Sequence, residues 1–170
     1  MKTTTFKSYI ILAFAFFAVF QAQAQVSKVE IRATGLTCSM CSNAINKQLK
    51  ALNEVDRVET DLNTNTFIVF FKENLSVAPK VLKEGVEKAG FFVGSMVLTT
   101  NSGAEAFTNT STNDEYVFLN SNDKTAAATQ FQILDKGYVT QKEFKKLSKT
   151  YSKHATYSVD NANDYHIKAF

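Results

Sequence analysis

Apolar and polar residues alternate along residues 26–34. Val29, Ile31 and Ala33 fall on one side of an extended chain and charged residues on the other, which predicts a strand with one buried face. Turn residues then separate three further segments that have the composition of strands. These segments are residues 55–62, 66–71 and 91–98.

Between these strands, apolar residues recur at the spacing of a helix. The first helix, residues 39–52, has apolar positions at Ala44, Ile45, Leu49 and Leu52. The second has Ser76 as its N-cap, Pro79 in its first turn, Gly90 at its end and an apolar stripe at Val81, Leu82, Val86 and Ala89. The order βαββαβ predicts an α+β fold in which both helices lie on one face of a four-stranded antiparallel sheet, the ferredoxin-like arrangement.

The chain beyond this unit has a weaker pattern. Residues 100–105 are small and polar and predict a linker, which divides the mature chain into a domain over 25–99 and a module over 106–170. In the module, residues 116–119, 129–134 and 165–169 predict strands. A capping box at Thr140 and Glu143, with Val139 and Phe144 as a hydrophobic staple, predicts a helix from Gln141. We therefore expect a small β-rich module with one helix, for which a compact barrel of the oligonucleotide/oligosaccharide-binding type is one compatible topology.

Ile68 and Phe70 fall on the face of the predicted sheet that the helices leave open. Antiparallel sheets usually carry polar residues on such a face. Two interpretations remain open. Either Ile68 and Phe70 are ordinary exposed apolar side chains, or this face is covered by the C-terminal module or by a partner.

The first 24 residues predict a secretory signal peptide. Lys2 and Lys7 precede an uncharged run over residues 9–20, and an Ala-x-Ala site ends at Ala24. The run is shorter than the ~20 residues that a membrane-spanning helix needs. An uncleaved anchor is the alternative, and no later run is apolar enough to cross a membrane. We expect an exported protein, periplasmic or secreted, that keeps no stable membrane span once the signal is removed.

Charge and composition narrow the choice of partners. The net charge of +3 includes the two signal-peptide lysines, so the mature chain is close to neutral. It has no dense stripe of basic residues interleaved with aromatic ones, which argues against a nucleic-acid partner. No constellation of catalytic acid, base and nucleophile is visible in the sequence, so we expect a protein that is not an enzyme.

Cys38 and Cys41, the only two cysteines, are three positions apart where a predicted strand ends and a helix begins. A helix N-terminus offers unpaired amides and a partial positive charge, which favour the thiolate that binds metal. Cu(I) is soft and can be held by two sulfurs, whereas Zn(II) usually takes four ligands. The pair therefore predicts a site for a soft ion. Cu(I) is favoured, and Hg(II), Zn(II) or another soft ion remains possible.

Residues 26–99 resemble the heavy-metal-associated domain of copper chaperones, copper-transporting ATPases and periplasmic mercury-binding proteins. The family pattern Gly-Met-Thr-Cys-x-x-Cys corresponds here to residues 35–41, with Leu36 in place of methionine. Residues 89–91 resemble the family's Ala-Gly-Phe/Tyr after the second helix. The resemblance implies metal binding by Cys38 and Cys41, with Leu36, Thr37 and Phe91 around the ligands, and a partner protein that donates or accepts the ion.

Two other functions use the same sequence features. The cysteine pair could be the redox centre of a thiol-disulfide oxidoreductase, which generally needs a cis-proline facing the thiols. Alternatively, the C-terminal module could recruit a partner while the metal domain acts as a sensor. His154 and His166 could bind metal, but with no second ligand at suitable spacing they are predicted to be surface histidines.

Overall fold

The computed structural model describes residues 26–73, 75–107, 115–124, 128–154, 156–157 and 164–170. The predicted signal peptide, residues 1–24, lies outside them. In chain order the elements are β1 (Val26–Thr34), α1 (Ser39–Lys50), β2 (Val55–Asp61), β3 (Thr66–Phe71), α2 (Pro79–Lys88), β4 (Phe92–Thr100), a 3-10 helix (Gly103–Phe107), β5 (Glu115–Phe118), a second 3-10 helix (Ser121–Lys124), β6 (Gln130–Ile133), α3 (Gln141–Thr150) and β7 (Asp164–Ala169).

The first six elements confirm the βαββαβ order and the α+β class. Strands β2, β3, β1 and β4 are neighbours in that order, and all of their pairings are antiparallel. The alternation in β1 has the predicted effect, because Val29, Ile31 and Ala33 are buried. Ile45 of α1 and Leu82 of α2 belong to the same core cluster, so both helices cover the same face of the sheet.

The start of α2 differs from the prediction. Its N-cap is Ala78, and Ser76 is exposed outside the helix. Proline disfavours helical backbone at the residue before it, so Pro79 keeps Ala78 extended and the helix cannot begin earlier. Val81, placed in the apolar stripe, is 37% exposed, whereas Leu82 is fully buried.

The predicted linker is not an open connection between separate units. Strand β4 continues through Thr100, and residues 103–107 form a 3-10 helix whose Ala104, Ala106 and Phe107 are buried in the main core. Thr100 is itself buried, and its hydroxyl donates a hydrogen bond to the carbonyl of Gly103. Small polar residues are typical of linkers, but here the amide of Thr100 donates a hydrogen bond to the carbonyl of Thr129.

The C-terminal strands extend the first sheet instead of closing a separate barrel. The seven described strands have the order β2-β3-β1-β4-β6-β7-β5. Strand β6 pairs antiparallel with β4. Strand β7 pairs antiparallel with β6 on one side and parallel with β5 on the other. Phe131 of β6 lies opposite Leu98 of β4, and both are buried in one cluster that also holds residues of α1 and α2.

Helix α3 belongs to the other face of the sheet. The hydroxyl of Thr140 accepts a hydrogen bond from the amide of Glu143, as the capping box predicts. Val139 and Phe144 pack in one smaller cluster with Tyr157, which confirms the predicted staple. Tyr157 contacts the ring of His166, whose side chain alternates with the core residues Tyr165 and Ile167 of β7.

In the described part of the chain, the C-terminal strands do not lie over the open face near β3. The added strands extend the sheet sideways beyond β4. Ile68 and Phe70 are half-buried, and the guanidinium of Arg57 lies 3.7 Å from the centre of the Phe70 ring. A cation stacked on an aromatic face is a favourable contact, so Arg57 gives local cover to this apolar surface. Among the described residues, no helix has the length and apolar character needed to span a membrane.

Candidate metal-binding site

The loop from Gly35 to Thr37 brings the chain from β1 to the start of α1. Cys38 is the N-cap of α1 with an extended backbone, and Cys41 lies in the first helical turn. The two sulfur atoms are 3.0 Å apart. Cys38 is exposed and Cys41 is half-buried. Both thiols therefore face one point at the surface, next to the unpaired amides of the helix N-terminus.

Two glycines with positive φ shape this end of the molecule. Gly35 has φ +88° after β1, and Gly90 has φ +88° after α2, a backbone region that residues with a Cβ rarely adopt. Gly90 turns the chain so that Phe91 returns to the sheet, and the amide of Phe91 donates to the carbonyl of Val86. A Cβ on Gly35 would be 3.9 Å from the Phe91 ring, so that ring lies against the start of the loop.

The surroundings of Cys41 favour its thiolate. Hydrogen bonding from the Cys38 thiol, followed by the backbone amide of Thr37, lowers the pKa of Cys41 below its ordinary value of 9.0. Since a thiolate is the form that binds a soft cation, this lowering prepares the site for metal at a less alkaline pH.

Removing the main cause of this shift should raise the pKa of Cys41 again. In Cys38→Ala, the alkylation rate of Cys41 is expected to rise with pH at a higher midpoint than in the parent chain, because the strongest hydrogen bond to its sulfur is lost. The measurement is the pH profile of iodoacetamide reaction at Cys41, followed by peptide mass analysis. An unchanged midpoint would contradict the assigned cause.

The other predicted site residues are all close to the loop, in different environments. Leu36 and Phe91 are partly buried and pack against the main core. Thr37 is exposed, and Met40, inside the loop sequence, is 80% exposed. Leu36 and Phe91 thus connect the loop to the core, whereas Met40 points away from it.

The donor set fits an ion that accepts few ligands. In the described parts of the chain, no group of three or more His, Cys, Asp or Glu side chains is placed to hold one ion. Two thiolates are enough for Cu(I), whereas a structural zinc site usually has four protein ligands.

Comparison with known proteins agrees with this geometry. The family model of the heavy-metal-associated domain matches residues 30–92 of this sequence. The copper chaperone CopZ of Staphylococcus haemolyticus is 37% identical over 68 residues, which are 40% of this chain and 97% of that protein. The chain belongs to the heavy-metal-associated domain family. The matched region runs from within β1 to the first residue of β4 and includes α1, α2 and the cysteine loop.

Other relatives match the same region. The copper-transporting ATPase RAN1 of Arabidopsis thaliana is 38% identical over 64 residues, which are 38% of this chain but only 6% of that protein. The solution structure of the yeast copper transporter domain CCC2A is 37% identical and covers 38% of this chain and 88% of that domain, with a TM-score of 0.35. The matches concern the family domain, and the chain spans a small fraction of the ATPase.

A cavity of about 480 Å³ opens at the same end of the sheet as the cysteine loop. Thr34 and Phe92 line it from the family domain, and Val139 and Phe144 line it from the region before and within α3. Phe92 is 69% exposed. The C-terminal part of the chain therefore adds apolar surface close to the metal loop of the family domain.

The structure also brings together two residues that sequence reasoning kept apart. The prediction of surface histidines is wrong for His166, which is 2% exposed. The rings of His154 and His166 are 5.8 Å apart between centres. The two residues are twelve positions apart, and no local pattern in the sequence indicates that they are in contact.

Proposed function

We propose that this chain binds Cu(I) through Cys38 and Cys41 and passes it on to a partner protein, or sequesters it, outside the cytoplasm. The observation that carries the proposal is the pair of sulfurs 3.0 Å apart at the N-terminus of α1. The helix dipole and the free amides of its first turn stabilise negative charge there. A complex of two thiolates with one monovalent cation carries such a charge.

The choice of copper is supported by chemistry and by relatives. Two soft donors suit Cu(I) better than Zn(II), which would need further ligands. The relatives matched over this region are named as a copper chaperone and copper-transporting ATPases. The chain is expected to act as a carrier of the ion, not as an enzyme.

Transfer is expected to proceed by thiolate exchange. A cysteine of the partner would add to the bound ion before Cys38 or Cys41 leaves, so the ion would never be released to water. Such a step needs access, and Cys38 is exposed at the surface, as are Met40 in the same loop sequence and Phe92 at the start of β4. The partner would approach this end of the sheet with its own metal loop.

Export is part of the proposal and rests on residues 1–24. A basic start, a short apolar run and an Ala-x-Ala site are features of a secretory signal. The mature protein would then begin at Gln25 in a periplasmic or extracellular setting, where the cysteine pair has to remain reduced to bind metal.

The oxidoreductase alternative is less favoured by the fold. Pro79, the only proline in the chain, begins α2, whereas Phe91, just after the other end of that helix, is the residue beside the cysteine loop. Ten residues of helix at 1.5 Å each put roughly 15 Å between the two ends. Pro79 is thus not available to face the thiols in the way that such enzymes require.

The direct test is a Cu(I) titration of the reduced protein lacking residues 1–24, in competition with a chromogenic Cu(I) chelator. One Cu(I) per chain is expected, and prior alkylation of both thiols with iodoacetamide should prevent the protein from competing. Zn(II) in place of Cu(I) is expected to bind much more weakly. Unchanged Cu(I) binding after complete alkylation would refute the proposal.

A further inference from the structure

His166 is held by a carboxylate on the face of the sheet opposite the main core. Its Nδ1 is 2.7 Å from one oxygen of Asp135, and its backbone amide donates to the other oxygen at 2.6 Å. An ionised carboxylate can only accept hydrogen bonds, so Nδ1 carries the proton. In the neutral ring, the lone pair is then on Nε2, and its direction is fixed.

The other ring nitrogen of His166, Nε2, contacts a hydroxyl group that a second histidine also contacts. Nε2 of His166 is 2.8 Å from the hydroxyl oxygen of Thr156, and Nδ1 of His154 is 3.4 Å from the same oxygen. That hydroxyl has one hydrogen, so it can serve only one of the two nitrogens as a donor. Two imidazole nitrogens thus converge on one point, which is now filled by a side-chain oxygen.

We propose that His154 and His166 form a second metal site, for a divalent ion that prefers imidazole, with Cu(II) bound more tightly than Zn(II). Ligating histidines nearly always donate their other N–H to a carboxylate or carbonyl, and Asp135 already makes this contact with His166. Asp135 is therefore a positioning residue. The order of affinity follows from the general preference of nitrogen sites among divalent ions.

The site can open to an ion without disturbing the core. Thr156 is exposed and His154 is half-buried in the turns after α3. Metal–nitrogen bonds of about 2.0–2.1 Å are shorter than the present contacts to the hydroxyl, so His154 would move inward by roughly an ångström. The ion would take the position of the hydroxyl, and water would complete its coordination.

Tyr157 also packs against the His166 ring. The two rings are 5.1 Å apart between centres, and the Tyr157 hydroxyl donates to the carbonyl of Leu134 at 2.6 Å. Tyr157 is buried in the cluster that packs α3 onto the sheet. His166 is therefore held by both Asp135 and Tyr157, with its Nε2 next to the hydroxyl of Thr156.

This site is independent of the thiol pair. His166 projects from β7 on the face opposite α1 and α2, and three strand spacings separate β7 from β1 in the sheet. Nitrogen donors and sulfur donors also select ions of different softness. The second site can therefore be tested in a chain from which both thiols have been removed.

The test uses the Cys38→Ser/Cys41→Ser chain, titrated with Cu(II) and followed by electron paramagnetic resonance. One bound Cu(II) with hyperfine structure from imidazole nitrogen is expected. Adding His154→Gln should lower the affinity at least tenfold and remove one nitrogen from the spectrum. Asp135→Asn should lower the affinity by roughly 10–100-fold, the usual effect of changing the partner of a ligating histidine.

Lys153→Gln is the matched control, since Lys153 is exposed next to His154, and it should leave binding unchanged. Any Cu(II) bound by the chain's amino terminus is the same in all variants, so it does not affect the comparison between them. His154→Gln spares the buried His166, and a urea unfolding curve checks that each variant is folded. Equal affinity and equal spectra with and without His154 would overturn the proposal, as would tighter binding of Zn(II) than of Cu(II).

Discussion

The Cys38→Ser/Cys41→Ser chain is expected to lose Cu(I) binding at the loop completely in the presence of a competing chelator. Serine keeps the size of the side chain but replaces a soft sulfur with a hard oxygen that is not ionised at neutral pH. Each single variant leaves one thiolate, so its affinity for Cu(I) should fall by much more than roughly 10–100-fold. That smaller loss is the usual effect of changing only the hydrogen-bond partner of a metal ligand. The readout is the stoichiometry and affinity of Cu(I) at each variant.

Met40→Ala is the matched control, because Met40 lies between the two cysteines in sequence and is 80% exposed. It should bind Cu(I) as the parent chain does. Cys38→Ser should also keep its stability within about 0.5 kcal/mol, since Cys38 is exposed and substitutions at exposed positions usually have small effects. Stoichiometric Cu(I) binding that survives both the double serine change and a further His154→Gln change would mean that the ion is held elsewhere.

Phe131→Ala is expected to destabilise the whole described fold by about 3–5 kcal/mol, the usual cost of emptying a buried aromatic position. Phe131 is fully buried in β6, opposite Leu98, and its ring packs against Phe107 and Phe118. The removed ring would leave a cavity where the two parts of the chain meet. Urea unfolding followed by circular dichroism measures the loss.

Phe170→Ala is the control, since it makes the same change at a ring that is 73% exposed in the same part of the chain, and it should alter stability little. A second result is expected from the shared core. Amide signals of α1 and of β7 should disappear at the same urea concentration, because the two elements bury side chains in one cluster. Separate transitions would mean that residues 106–170 form an independent module after all.

Local patterns were enough to predict the family domain. Strand β1 alternates from Lys28 to Thr34, α1 and α2 each have an apolar stripe, and Pro79 and Gly90 mark the ends of α2. Each of these signals depends on residues within a few positions of one another. The cysteine loop was equally visible, because both thiols belong to one turn of chain.

The features that were missed depend on residues far apart in sequence. The pairing of Leu98 with Phe131 joins β4 to β6, and no local pattern specifies which edge of a sheet a later strand will join. The segment that begins at Thr100 has the composition of a linker. Thr100 is nevertheless buried and paired, because the chain leading into β6 lies beside it. The contact between His154 and His166 depends in the same way on where β7 enters the sheet.

The position of β6 has a consequence for association. In a sheet that ended at β4, the outer side of that strand would offer unpaired amides and carbonyls to any extended chain in solution, including another copy. Here the chain fills that side itself, so the sheet ends instead at β5, and β2 of the family domain remains its other edge. Asp56, Arg57 and Glu59 are exposed on β2, and charged side chains on an outer strand discourage intermolecular pairing. We therefore expect contacts with other proteins to form through side chains near the cysteine loop, and not by strand addition at β4.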